Sequence, residues 1–319
     1  MDTKAGVPFK HILFSALIGL AAVFGVFALP VLMVLPAFLA FIACAWGMGC
    51  FALSCACAVA ATALGCGLDM GAAAYMTGLF LPASVILALM ISAKRPWRTA
   101  VGLCCAALCA GLYCVVCLPS LIAGGGTFDT MVNVAKDIVY GTDTAFVYLR
   151  EAFSRLLPAD YISLLPDLMP AMTTVFIMTL GMGLGFFDVI IARSLLKRAG
   201  AQVRPMAPMP EWQLTRSFSW GAVILLIGLL VIVLNNIVYS EAISAAIELI
   251  VMAPYMLMGV CFFEFTGRKR AGNRAVRRVL GAAALTLLMP YSLYGLALGG
   301  FIERTFRIRE RINNPPPEF

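Results

Sequence analysis

Histidine is almost missing from this sequence: His11 is the single one in 319 residues. That excludes paired-histidine sites such as H-E-x-x-H, and no metal site is expected. Charge is scarce too. Asp, Glu, Lys and Arg make up 12% of the chain, against about a quarter in a soluble domain. No GxxxxGK[ST] phosphate loop occurs, so active transport would need an energising partner or an ion gradient. No G-x-S-x-G nucleophile elbow occurs either. No catalytic residue and no cofactor is assigned, and an enzyme is not expected.

Apolar residues fill the space. The chain is 62% hydrophobic with a mean hydropathy of +0.96. A spanning helix takes about 20 apolar residues, and hydrocarbon offers no partner to an open backbone. Alternating strands with polar lumen faces, the mark of a barrel, are not visible. The fold class expected is therefore all-α: a polytopic integral membrane helical bundle of about nine spans, or eight on an alternative count. The first apolar run, from about residue 11 to 29, superficially resembles a secretory signal. No A-x-A site followed by a soluble domain comes after it, so it reads as an uncleaved first helix.

The remaining spans fall at about 31–46, 49–66, 72–92, 99–122, 167–192, 219–235, 242–265 and 279–303. Gly47 and Gly49 form the tight turn between the second and third. Pro290 interrupts the ninth. Residues 127–166 are the long polar stretch, with Asp129, Asp137, Asp143, Glu151 and Asp160 against Lys136, Arg150 and Arg155. Apolar residues from Phe128 to Val139 and from Ala145 to Leu157 recur at helical spacing there, which predicts two amphipathic helices on the outer surface. Asp167 is the expected N-cap of the next helix, with Pro170 in its first turn. The expected organisation is an N-terminal membrane half, 1–123, an extracytoplasmic amphipathic insertion, 124–167, a C-terminal membrane half, 168–312, and a disordered tail, 313–319.

The formal charge of +7 does not point to nucleic acid. The basic residues flank apolar runs, where they mark cytoplasmic loops. Lys94, Arg95 and Arg98 form one such cluster, and six basic residues between Arg268 and Arg278 form the strongest. Hence the expected setting is an inner membrane crossed several times, with a cytoplasmic N-terminus. Nine spans put the C-terminus outside, yet Arg304, Arg307, Arg309 and Arg311 follow the last span. Either Pro290 makes a re-entrant hairpin or the count is off by one.

Few residues inside these runs carry chemistry. Asp188 is an intramembrane acid, and a charge at mid-membrane costs about 2.5–3.5 kcal/mol on insertion scales, which makes it a site candidate. The competing reading is an interfacial acid snorkelling to the surface near Arg193. Ser240, Glu241, Ser244, Glu248 and Tyr255 fall near one face of the eighth span. Asn235 and Asn236 lie at the neighbouring helix end, and Tyr291, Ser292 and Tyr294 in the ninth span. Ser244, Glu248, Tyr255, Asn235, Tyr291 and Tyr294 are the candidate substrate-binding set, since a pocket needs apolar walls with a few placed polar groups. The alternative is that the two glutamates merely suit a helix start. Gly181-x-x-x-Gly185 and Gly295-x-x-x-Gly299 are close-packing patterns, for internal helices or a partner. Ten of the eleven cysteines lie between Cys44 and Cys117. Cys114, Cys117 and Cys66 suggest a membrane thiol oxidoreductase; the plainer reading is small apolar filler.

The segment PMPEWQLTRSFSW leading into a span resembles the linker of the YybS-like family, bacterial multi-pass membrane proteins whose domain is of unknown function. GVCFFEFTGRKR, a Pro-broken helix and LALGGFIERTFRIRER resemble that family's C-terminal pattern. The likeness covers most of the chain and is carried mainly by about 190–312. Glu303 and Phe306-Arg307 stand loosely where the family carries an acid and D-F-R-like residues. The family's helix pattern is similar to that of the small-molecule-binding subunits of energy-coupling-factor importers, an analogy of fold and not of function. The expected partners are membrane lipid and energising or other membrane subunits, which follow from the apolar composition and the missing phosphate loop. The favoured function is a small-molecule-binding or permease-type component with an outward-facing pocket. The competing class is a membrane scaffold or regulator binding lipid or partners through its basic loops.

Overall fold

A computed structural model of the chain describes residues 8–122, 124–141, 147–148, 151, 162–201, 203, 206, 208–235, 240–269 and 291–313. Among these the regular structure is helical throughout, with no strand. Six helices are long and apolar enough to cross a membrane, and two shorter apolar stretches, Phe9–Gly25 and Val31–Ala45, accompany them. The chain is thus an all-α membrane bundle. It divides into two compact units, Met1–Pro205 and Met206–Phe319.

In the first unit, α1 (Phe9–Leu20) and α2 (Ala22–Phe27) cover the expected first span, broken at Ala21. α3 (Leu29–Ala45) and α4 (Met48–Gly65) turn on Gly47, whose φ of +96° lies where an L side chain is strained. α5 (Met70–Ser92) starts at Asp69, whose carboxylate accepts from the Gly71 and Ala72 amides at 2.8 and 3.1 Å. That satisfies two of the four free amides of a helix start. α6 (Trp97–Ile122) follows after Lys94 closes α5 in the left-handed conformation, φ +50°.

α7 (Asp129–Tyr140) is the first of the two amphipathic helices expected in the polar insertion. It packs on α8 (Leu165–Arg198) and buries Ala135, while Phe128 before it is also buried. The second, from Ala145 to Leu157, lies almost wholly outside the described residues. α8 corrects one expectation: it is capped by Leu164, with Pro166 in its first turn, and Asp167 is inside that turn and not the cap. An acid there still suits the positive end of the helix. At 34 residues α8 is about 51 Å long, more than the roughly 30 Å of a hydrocarbon core. The core of the unit forms where α3, α5, α6 and α8 meet, around Leu79, Phe80, Leu108, Leu112, Ile177 and Val189.

Glycine sets the α6–α8 distance. A Cβ on Gly185 would stand 2.7 Å from the Cys105 backbone, and one on Gly181 3.0 Å from the Cys109 amide. Cys105 Sγ donates back to the Met182 carbonyl at 3.2 Å. Thus Gly181-x-x-x-Gly185 is an internal seam, and these cysteines pack as small side chains that also satisfy carbonyls.

The second unit opens with a short 3-10 turn, Met209–Glu211, then α9 (Arg216–Leu234), capped by the Thr215 hydroxyl on the Phe218 amide at 3.2 Å. α10 (Ser240–Lys269) and α11 (Tyr291–Phe306) run antiparallel. Gly259 abuts Leu296, and Gly300 abuts the Tyr255 carbonyl, so close that neither position has room for a Cβ. Gly295 and Gly299, the expected packing pair, meet nothing within 4 Å. α12 (Ile308–Asn313) follows a break at Arg307, φ +51°. Pro290 and the basic run from residue 270 to 278 lie outside the described residues.

Candidate functional site

Three helices of the second unit enclose a groove of about 550 Å³. α9 contributes Ser219, Ala222, Val223 and Leu226; α10 contributes Val251, Met252 and Tyr255; α11 contributes Ala297, Leu298 and Phe301. Arg304, Thr305 and Arg307 add the polar part of the wall. Tyr255 is the pivot. It is 7% exposed, and its ring meets Phe218 and Phe301 edge-on at 5.9 and 5.6 Å. Such pairs add about 0.5–1.5 kcal/mol beyond burial, which fixes the groove's floor. The Ser219 hydroxyl is buried in the wall without a hydrogen-bond partner among the described residues.

Of the residues expected to bind substrate, only Tyr255 lines this groove. Ser244 is half-buried and Glu248 exposed. They sit 7 and 3 residues before Val251, on the face of α10 that Val251 and Tyr255 bring to the groove. Asn235 is spent on its own helix end, its amide donating to the Val231 carbonyl at 2.7 Å. Tyr291 and Tyr294 are 80% and 59% exposed and do not line the groove. Asn236 lies outside the described residues.

The second unit also holds a buried ion pair that the sequence did not join. Glu303 and Arg309 are 2% and 3% exposed. The Arg309 guanidinium grips the carboxylate with Nε on Oε1 at 2.8 Å and Nη2 on Oε2 at 2.9 Å. Nη2 also donates to the Trp212 carbonyl at 2.9 Å and reaches Met258 Sδ at 3.8 Å. One side chain thus ties the entry segment, α10, α11 and α12 together. The left-handed Arg307 makes this geometry: the chain turns there, and residues six apart come face to face.

The first unit holds a second centre. Asp188 of α8 is 0% exposed, and neither carboxyl oxygen has a hydrogen-bond partner among the described residues. It therefore does not snorkel. The cysteines of the thiol-oxidoreductase reading are free: Cys117 is buried, Cys66 half-buried and Cys114 exposed. No group of three or more His, Cys, Asp or Glu suited to a metal occurs among the described residues.

A family profile described as "Predicted membrane protein (DUF2232)" matches residues 12–303. The chain belongs to that family. The match takes in α1 to α11 almost complete, so Asp188, Glu303 and the apolar walls of the groove fall within the family domain, while Arg304, Thr305, Arg307 and Arg309 lie just beyond it. No curated protein and no solved structure matches the chain. The family description agrees with the six long apolar helices and assigns no activity.

Proposed function

We propose that the chain is a small-molecule-binding, permease-type component of a bacterial inner membrane, and that its ligand is an amphipathic anion held in the second unit's groove. The groove's composition carries this reading. Its walls are apolar over most of their length, and its polar groups include two arginines, Arg304 and the exposed Arg307, which also meets Glu310 at 3.8 Å, with Thr305 beside them. Guanidinium groups bind carboxylate or phosphate through paired, charge-assisted hydrogen bonds. A volume of about 550 Å³ lies within the range of small-molecule sites. The buried Ser219 hydroxyl offers one more donor. Ser244 and Glu248, continuing the Tyr255 face, form the approach to it. The sequence holds no phosphate-binding loop, so active uptake would draw on energising membrane subunits or an ion gradient.

The test uses the full chain in nanodiscs of neutral lipid. Dodecanoate should raise its Tm and dodecanol should not. Replacing both arginines by glutamine should remove the shift, while Glu248→Gln retains it. An equal response to the alcohol, or an undiminished one in the double variant, rejects the groove. Loss of the shift in Glu248→Gln alone would move the site to the Ser244–Glu248 stripe.

The orientation proposed, with the N-terminus and the segments around Lys94 and Arg270 in the cytoplasm, follows from their charge. Reporters active only in the periplasm should stay silent when fused at those two places. A signal from either would invert the topology and the outward pocket with it.

A further inference from the structure

Asp188 demands an account of its own, because a carboxyl group with no hydrogen-bond partner among the described residues does not stay ionised cheaply. Moving an unpaired carboxylate out of water costs several kcal/mol even after relaxation, and buried charges are otherwise paired or bound to metal. Here α8 presents Asp188 to α3 and α6. From α3, the Ala37 amide approaches the carboxyl, one residue past Pro36, without closing a hydrogen bond. From α6, Cys104 and Cys105 face it. Cys104 is fully buried, and the Cys105 thiol is already turned to the Met182 carbonyl. Val189 and Ala192, both 0% exposed, close the adjoining turn.

No basic group on these elements faces the carboxyl. α3 has no Asp, Glu, Lys, Arg or His; its titratable Cys44 bonds the Ala88 carbonyl instead. On α6 the charged residue is Arg98, in the first turn, stacked over Trp97. Arg193, five residues along α8, has a partner already. The charges of α7, Asp129, Lys136 and Asp137, lie at the far end. α6 and α8 run antiparallel, with Cys105 opposite Gly185 and Cys109 opposite Gly181. α7 is tied to Ser120 through Thr130, about 22 Å along α6 from Cys105. A metal cation fits poorly, because hard ions take six or more oxygens, and thiols and alkyl groups surround this one carboxyl.

We propose that Asp188 is a proton-binding site. The α3–α6–α8 junction holds the carboxyl in its acid form, and the proton leaves to water only when the junction opens. Closure then requires that a proton be taken back. The chain thereby carries a conformational step coupled to protons in a unit other than the one that holds the groove. The inference stands whether or not the groove binds an anion.

Infrared spectroscopy of the full chain in nanodiscs tests it directly. With carbon-13 in the aspartate carboxyls, wild-type protein at neutral pH should show the carbonyl stretch of a protonated aspartic acid. That band should shift only slowly in deuterated water, which separates it from exposed acids, and it should be missing from Asp188→Asn. If the variant fails to fold, the labelled wild type decides alone. A slowly exchanging acid band supports the site. A spectrum with only carboxylate bands, or with an acid band that exchanges at once, overturns it.

Discussion

Arg309→Ala should destabilise the second unit by about 3–5 kcal/mol, the usual cost of removing one partner of a buried ion pair. The loss is large because the Glu303 carboxylate, 2% exposed, would lose the guanidinium that holds both its oxygens. The Trp212 carbonyl would lose its guanidinium donor at the same time. Chemical unfolding followed by tryptophan fluorescence should read the change, since Trp212 is 7% exposed and sits at the broken contact. Arg309→Lys should recover only part of it, because a point charge cannot make both carboxylate bonds and the bond to Trp212. Replacing the pair together, Glu303→Leu with Arg309→Met, should cost much less than either single loss, since no orphan charge is left. If Arg309→Ala unfolds at the wild-type denaturant concentration, the pair does not hold the unit.

That pair marks where sequence reasoning stopped. Apolar run length and punctuation by charge gave the helices well: Met70–Ser92, Trp97–Ile122 and Ser240–Lys269 stand close to where composition puts them. Burial of those helices was not legible, because a membrane span is greasy on every face and periodicity no longer marks its inner side. So Tyr255, Tyr291 and Tyr294 looked alike in sequence, though Tyr255 is buried and the other two are exposed. Arg309 read as one more basic residue after a span. Its pairing depends on Arg307 taking a left-handed φ, a conformation no propensity favours in arginine. Asp188 was visible as an acid in an apolar run. That it turns inward, away from water, is a property of the α3 and α6 surfaces packed over it.

Glycine is where sequence pattern and packing separate most sharply, and there the second large effect is expected. In Gly185→Leu the new Cβ would stand 2.7 Å from the Cys105 Cα and amide nitrogen. Backbone cannot swing aside as a side-chain tip does, so α6 and α8 must part along the Asp188 junction. Overpacking of this kind costs about 1–3 kcal/mol, occasionally more, and parting the helices also forfeits the Cys105 thiol bond to Met182. Gly183→Ala is the control. It lies two residues away on the same helix and meets nothing within 4 Å. Alanine exceeds glycine in helix propensity by about 1 kcal/mol, so that variant should be neutral or more stable. The same contrast should hold in the second unit, where Gly300 has no room against Tyr255 and Gly299 next to it is open. Gly300→Ala should lower the Tm of the purified chain, and Gly299→Ala should not. If both pairs respond alike, lipid and not helix contact sets the requirement for glycine, and the close α6–α8 and α10–α11 seams are wrong.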